Sequence, residues 1–192
     1  DSTPGYYVEI AAEQQQGNKN TLVSNVADEV YTFKSPTYDE QSTPENTNIR
    51  LDIKESDDSG AFNIFDMGVK GAATVRRFTN INPQEVPFVW PGAGTTSYWS
   101  GSELHILKST SDSDEFDDMV ILHEYGHYYQ AIYSEVSGGA YLRGCHSSSW
   151  AEIPRKAWSE GMATFFAGVV KNSSQYIDTS IGGALLVDME NA

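Results

Sequence analysis

Short apolar segments alternate with polar stretches over the first sixty residues of the chain. The apolar segments span residues 6–10, 29–33 and 49–53, and the stretches between them are rich in Asn, Thr, Pro and Gly. Alternation of this kind is typical of strands joined by turns. We therefore predict a β-rich N-terminal region.

A helical pattern follows at residues 60–79. Ser59 immediately precedes it and has the type of side chain expected of an N-cap. The side chains that recur close to every 3.6 residues, and so share one face of a helix, are Phe62, Phe65, Val69, Ala72, Ala73 and Arg76. The sequence thus predicts one helix within the β-rich region.

Three more strands are predicted after this helix, at residues 86–90, 97–99 and 103–107. A loop containing Pro and Gly at residues 91–94 separates the first two of them.

Two helices are predicted in the second half of the chain. The first is strongly apolar and runs from about residue 115 to 136, with Ser and Asp side chains at 111–114 available to cap it. After a Gly- and Ser-rich loop at 137–149, the second helix starts at residue 151 or 156 and ends at 170. Beyond it the pattern is weak, with one apolar segment at 184–187.

Together these elements predict an α+β fold in which a mixed sheet with helices is followed by two helices. With 192 residues, of which 39% are hydrophobic, the chain is long enough for one domain with its own core. We expect residues 1–110 to form the β-rich part, with one helix, and residues 111–192 to form the helical part.

Charge and cysteine content exclude several classes of protein. The net charge is −15 and only 12 residues are Lys or Arg, whereas nucleic-acid binding needs clustered basic side chains. The single cysteine, Cys145, can form neither an intramolecular disulfide nor a cysteine-based structural zinc site.

No apolar run reaches the length of about eighteen residues that a membrane span needs. Because the chain begins at Asp1 rather than Met, we expect a processed protein that is secreted or lies at the cell surface.

A zinc-binding pattern, HExxH, lies near the middle of the predicted apolar helix, in the segment His123-Glu124-Tyr125-Gly126-His127. Residues four apart share one face of a helix, so His123 and His127 can ligate one ion and Glu124 can reach a water molecule beside it. Zinc would lower the pKa of that water, and Glu124 would accept its proton and pass it to the leaving amine of a peptide. Two His and one Glu on a buried helix need polar partners, which favours a metal site over a chance match.

A third ligand decides which kind of zinc site forms. The elongated motif with a third His six positions after His127 is excluded, because Tyr133 stands there. Glu160 is the strongest remaining candidate, since it lies on the second predicted helix, where small side chains allow two helices to approach closely. Those small residues are Ala163, Thr164 and Ala167. The weaker alternatives for the third ligand are Glu135, Glu152 and His146.

The HExxH segment, followed by Ala157-Trp158-Ser159-Glu160-Gly161-Met162-Ala163-Thr164, resembles the gluzincins, especially the aminopeptidase N-like and thermolysin-like zinc peptidases. The resemblance covers about residues 116–168. It implies a zincin-like fold with zinc held by His123, His127 and Glu160, and with Glu124 as general base. Thr164 stands where thermolysin-like enzymes place an Asp that supports a zinc-bound His.

The same resemblance implies how a substrate binds. A strand before the zinc helix lines the cleft in such enzymes, so we expect residues 103–107 to form an edge strand that pairs with an extended peptide. The substrate-binding residues on it are Glu103, Leu104, His105 and Ile106. Gluzincins tend to draw the donor that stabilises the oxyanion from sequence beyond the distal Glu; the candidates here are Tyr176, Tyr141 and His146. Only 32 residues follow Glu160, so a further C-terminal subdomain can be missing from this chain.

These observations favour a secreted zinc endopeptidase acting on peptides or proteins, since no anchor for a substrate amino terminus is evident. Two alternatives stay open: a peptidase-like zinc-binding module for adhesion or recognition without turnover, and a zinc hydrolase acting on non-peptide amides. The acidic stretches at residues 55–60 and 111–118 could also bind calcium, although helix capping and solvation explain them as well.

Overall fold

The computed structural model describes residues 5–14, 19–39, 50–54, 58–134 and 154–191. These residues form a mixed α+β arrangement, in agreement with the predicted class. None of the helices in these ranges is long and apolar enough to cross a membrane.

Within the described ranges the chain forms ten strands and three α-helices. The strands are β1 (Gly5–Tyr6), β2 (Glu9–Ala11), β3 (Thr21–Ser24), β4 (Thr32–Lys34), β5 (Tyr38–Asp39), β6 (Val86–Gly92), β7 (Tyr98–Trp99), β8 (Leu104–Leu107), β9 (Gln175–Ser180) and β10 (Gly183–Asp188). The helices are α1 (Ser59–Thr79), α2 (Asp118–Tyr133) and α3 (Pro154–Lys171).

The largest sheet has four strands in the order β3, β6, β8, β7. Its first three strands are parallel, and α1 lies in the connection between β3 and β6, as a parallel pair requires a crossover. β7 runs antiparallel to β8 and lies at the edge.

The prediction that residues 103–107 form the edge strand is therefore wrong. The backbone N–H of Ser100 donates to the carbonyl of Glu103 at 2.9 Å, and Gly101 adopts a positive φ of 105° in the turn between them. This turn folds β7 back onto β8, so β8 lies between β6 and β7 instead of at the edge.

The core lies between this sheet and the helices, which explains why α2 is apolar on almost every side. Its fully buried large side chains include Val23, Phe88, Trp90, Leu104 and Ile106 from the strands and Ile64, Met67, Ile121, Leu122 and Tyr125 from α1 and α2. Burial of each such side chain contributes about 1.5–3 kcal/mol to the stability of the fold.

The three α-helices lie where they were predicted, with ends that differ from the predicted ones by up to three residues, but the predicted caps are wrong. Asp58, in the left-handed conformation with φ of 57°, occupies the N-cap of α1, and Ser59 is its first helical residue. A short 3-10 helix, Asp114–Phe116, precedes α2, so Asp117 takes the N-cap position there instead of a residue from 111–114.

Strand positions were predicted less completely. Residues 50–53, the described part of the strand predicted at 49–53, form no strand, whereas β3 and β9 were not predicted. β10 contains the apolar segment at 184–187 and pairs with β9 as an antiparallel hairpin.

The β9–β10 hairpin is attached to the segment that leads into α2. The backbone N–H and the hydroxyl of Thr179 donate to the carboxylate of Asp117 at 2.7–2.9 Å, and the N–H of Ile181 donates to the carbonyl of Ser111 at 2.9 Å. These hydrogen bonds hold the hairpin against the start of α2, the helix that contains the HExxH segment, and so place β9 beside α2.

Candidate metal centre

The three residues predicted as zinc ligands lie together between α2 and α3. Nε2 of His123 is 3.0 Å from Nε2 of His127, and Oε2 of Glu160 is 3.2 Å from both nitrogens. The two His come from successive turns of one face of α2, and Glu160 reaches them from α3. The structure thus brings together the predicted trio.

This donor set fits a metal ion. A tetrahedral zinc ion with bonds of about 2.0–2.1 Å holds its ligand atoms about 3.3 Å apart, close to the 3.0–3.2 Å found here. Two imidazole nitrogens whose lone pairs face each other repel, and a cation shared with a carboxylate removes that repulsion. Two imidazoles and one carboxylate are also the ligands that catalytic zinc takes when a fourth position is left for water or substrate.

Thr164 contacts the far side of the His123 ring. Its Oγ1 lies 3.0 Å from Nδ1 of His123. When Nδ1 of His123 carries the ring proton, it donates this proton to the Thr164 hydroxyl. Nε2 of His123 then has a free lone pair on the side that faces His127 and Glu160. The hydroxyl of Thr164 therefore makes the contact that the resemblance to thermolysin-like enzymes predicts for the carboxylate of an Asp.

Close approach of α2 and α3 sets the position of Glu160. A Cβ added to Gly126 would lie 2.8 Å from Cα of Ala163 and 3.1 Å from its carbonyl oxygen, which is too close for any side chain. Nε2 of Gln130 donates to the carbonyl of Ser159 at 2.9 Å and fixes the register of the two helices. Small residues at the crossing thus let Glu160 reach the imidazoles of α2.

Glu124 is buried next to the trio. Its burial raises the pKa to about 7, an effect that the charge on Glu160 increases, while the charge on His127 and a hydrogen bond to the backbone of Trp99 oppose it. A carboxylate whose pKa lies near neutrality is suited to accept a proton and release it again. The side chain of Trp99 packs edge-on against Tyr128, one turn after Glu124 on α2, so the edge strand β7 lies beside this part of the helix.

The protonation of the trio follows from its contacts. Burial raises the pKa of Glu160, but its hydrogen bonds to His123 and His127 outweigh this effect and hold the pKa well below the usual range. Burial alone would lower the pKa of His127, yet the hydrogen bond to Glu160 and the charges of Glu124 and Glu160 raise it. The carboxylate of Glu160 therefore keeps its negative charge, which favours binding of a cation at this site.

Among the predicted oxyanion donors, Tyr176 lies at the site. Its ring packs edge-on against that of His123, with centroids 5.9 Å apart and planes at 65°. Burial and the nearby acidic groups, chiefly Asp178, raise the pKa of its phenol, so the hydroxyl keeps its proton and can donate it in a hydrogen bond. The other candidates, Tyr141 and His146, lie outside the described residues, as do Cys145, Glu135 and Glu152.

The predicted substrate residues at 103–106 alternate between two faces of the sheet. The side chains of Leu104 and Ile106 are fully buried in the core, so they cannot contact a substrate. His105 and Glu103 lie on the other face, with Nε2 of His105 3.2 Å from Oε2 of Glu103. Sequence reasoning missed the true edge, Tyr98 and Trp99, although the Gly101 turn after these residues was a signal for a hairpin.

A second group of carboxylates lies beside β9, toward the turn of the β9–β10 hairpin. One oxygen from each of Asp112, Asp114 and Asp178 lies within 4.8 Å of the others, a spacing that could hold a metal ion. Burial raises the pKa of Asp114 to about 7, although a hydrogen bond from Ser97 opposes this. Calcium at 111–118 stays a prediction, and residues 55–57 of the other acidic stretch lie outside the described residues.

No protein-family model matches the chain, and no curated protein matches it with significance. The functional assignment therefore depends on the residues and their geometry.

Proposed function

We propose that this protein is a zinc-dependent peptidase of gluzincin type with a zincin-like fold, in which His123, His127 and Glu160 bind the metal. The observation that carries the proposal is the convergence of these three donors from two helices at 3.0–3.2 Å, with the motif glutamate buried beside them. Zinc bound there would supply a Lewis acid that activates water and polarises a peptide carbonyl.

Glu124 acts as the general base. Its carboxylate accepts a proton from the attacking water and then delivers it to the nitrogen of the leaving amine. Burial raises the pKa of this carboxyl in the metal-free site, so it binds a proton more readily than an exposed Glu does.

Tyr176 donates a hydrogen bond to the oxyanion that develops on the scissile carbonyl. Its contact with the ring of His123 places the phenol at the metal ligands, and its raised pKa keeps the hydroxyl protonated. Donors of this kind act most strongly in the transition state, where the negative charge is fully developed.

The edge strand β7 orients the peptide. An extended segment can add to the side of β7 that does not pair with β8, and the packing of Trp99 on Tyr128 holds β7 beside the helix that carries the general base. Within the residues that the structure describes, no anchor for a substrate amino terminus is evident, which favours cleavage within a chain.

Metal analysis and one matched pair of variants test the proposal. Purified protein should contain about one equivalent of zinc and cleave denatured casein, with activity lost on chelation and restored by zinc. Glu124→Gln should keep the zinc and lose hydrolysis by at least about a hundredfold, whereas Glu160→Gln should lose the zinc. Glu190→Gln, which changes an exposed carboxylate on the surface, should match the unchanged protein in both measurements.

The outcomes separate the alternatives. Folded protein with no affinity for zinc would contradict the proposed metal site. Bound zinc without cleavage of casein or of a peptide library would indicate a recognition module instead of a peptidase, and turnover confined to non-peptide amides would indicate another hydrolase. Unchanged hydrolysis by Glu124→Gln would remove Glu124 from the role of base.

A further inference from the structure

A stacked group of side chains covers the outer face of the edge hairpin. The rings of Tyr98 and His105 are nearly parallel, with centroids 4.7 Å apart and an angle of 7°. Nε2 of His105 lies 3.2 Å from Oε2 of Glu103. Tyr98 is 37% exposed, and its ring rests on that of His105.

This group adjoins the proposed cleft. The side chain of Trp99, the neighbour of Tyr98, packs edge-on against that of Tyr128 on α2, with ring centroids 5.4 Å apart. Successive side chains on a strand point to opposite faces. Tyr98 therefore projects away from α2, at the outer rim of the edge to which a peptide would add.

A peptide paired with β7 would bring one of its side chains against the Tyr98 ring. Same-face residues directly opposite each other on adjacent antiparallel strands have Cβ atoms about 4.5–5.5 Å apart, within contact of an aromatic ring. The exposed ring face attracts cations, and the carboxylate of Glu103 lies on the same face of the hairpin. An overall charge of −15 adds a long-range attraction for basic substrates.

We propose that Tyr98 and Glu103 form a specificity subsite for a Lys or Arg side chain of the peptide substrate. Tyr98 provides the contact surface, and Glu103 provides the countercharge. His105 is a positioning residue, because its ring supports the Tyr98 ring from behind. The proposal rests on the peptidase function proposed above and adds a substrate class to it.

Paired peptides that differ at a single position test the subsite. A peptide library locates the subsite, and two fluorogenic peptides then carry either Lys or uncharged norleucine there. The unchanged protein should cleave the Lys peptide with the higher kcat/KM. Tyr98→Ala should lower the Lys-to-norleucine ratio by about tenfold, whereas Tyr98→Phe should keep most of it because the ring face remains. Glu103→Gln should also lower the ratio.

The role of His105 has its own readout. His105→Ala should lower the Lys-to-norleucine ratio. His105→Phe should restore the ratio, because the phenyl ring still stacks on Tyr98 even though it makes no polar contact with Glu103. Thermal unfolding of each variant shows whether the fold is retained. A change confined to stability, with the ratio unchanged in His105→Ala, would contradict the positioning role.

A binding measurement separates failure of the subsite from failure of the peptidase function. Fluorescence anisotropy with the zinc-loaded Glu124→Gln protein measures the affinity for the same two peptides without turnover. Tighter binding of the Lys peptide, lost on adding Tyr98→Ala, supports the subsite even if the unchanged protein cleaves nothing. If the two peptides are cleaved with equal kcat/KM and also bind with equal affinity, the proposed subsite does not exist.

Discussion

Oγ1 of Thr164 lies 3.0 Å from Nδ1 of His123, so α3 contributes to the metal trio twice. Glu160 on this helix is one of the three candidate ligands, and one turn further along Thr164 contacts a candidate ligand from the other helix. Partners of this kind fix the ring orientation and tautomer of a metal-binding His.

Removal of the Thr164 hydroxyl should weaken zinc binding. In Thr164→Val the shape is kept but Nδ1 of His123 loses its partner, so we expect the zinc Kd to rise by about tenfold or more. Competition with a chromophoric chelator measures the Kd. Thr164→Ser retains the hydroxyl and should bind zinc nearly as tightly as the unchanged protein; equal Kd values for the Val and unchanged proteins would refute the positioning role.

Tyr176→Phe should slow catalysis without loss of metal. The phenyl ring keeps the contact with His123, but the donor to the oxyanion is gone, so kcat should fall by about a hundredfold while KM changes little. Steady-state kinetics and zinc content measured on the same sample check this. Tyr7→Phe changes an exposed tyrosine and serves as the control. A kcat within twofold of the unchanged protein would exclude Tyr176 as the donor.

Substitution of Gly126 should force α2 and α3 apart. The atoms that a Cβ would meet belong to the backbone of Ala163 and cannot rotate away, so Gly126→Ala should destabilise the fold by about 1–3 kcal/mol and weaken zinc binding. Gly161→Ala is the matched control on α3, because a Cβ there meets nothing within 4 Å. That change should stabilise the helix by up to about 1 kcal/mol.

Urea unfolding monitored by circular dichroism gives both free energies of unfolding. If the two Ala variants were destabilised equally, the close contact at Gly126 would not set the spacing of the helices.

Stability without metal should decrease as the pH rises toward and beyond 7. Burial, opposed by the Ser97 hydrogen bond, raises the pKa of Asp114 from 3.8 to about 7 in the folded state. A carboxyl whose folded pKa is raised stabilises the fold below its ordinary pKa, and this contribution is lost as the pH rises through the folded pKa. In EDTA the melting temperature should therefore be lower at about pH 8 than at about pH 5.

Asp114→Asn should reduce this pH dependence, because the amide stays neutral and can still bond to Ser97. Asp66→Asn removes an exposed carboxylate of α1 and tests whether the loss of net negative charge alone has the same effect. A pH profile that Asp114→Asn leaves unchanged would assign the dependence to other groups.

The metal ligands could be predicted because their signals are local. His123, Glu124 and His127 follow helical spacing, and Glu160 stands out as a carboxylate on an apolar helix. The trio that these signals predicted is assembled in the structure.

The edge strand could not be predicted in the same way, because strand order depends on pairing between distant segments. The alternation within β8, with Leu104 and Ile106 inward and His105 outward, was nevertheless visible in the sequence. It would have excluded those two apolar residues from substrate contact. The approach of Tyr176 to His123 depends on hydrogen bonds between the hairpin and Asp117, which no local pattern indicates.

The edge strand β7 contains two residues, and this short length bears on self-association of the protein. Long exposed strand edges act as templates on which copies of a chain stack and aggregate, and very short edges prevent it. The opposite edge of the sheet, β3, is covered by bridges from Glu13 and Val30. The free edge of β7 can thus pair with a short substrate peptide but is too short to start the growth of cross-β aggregates.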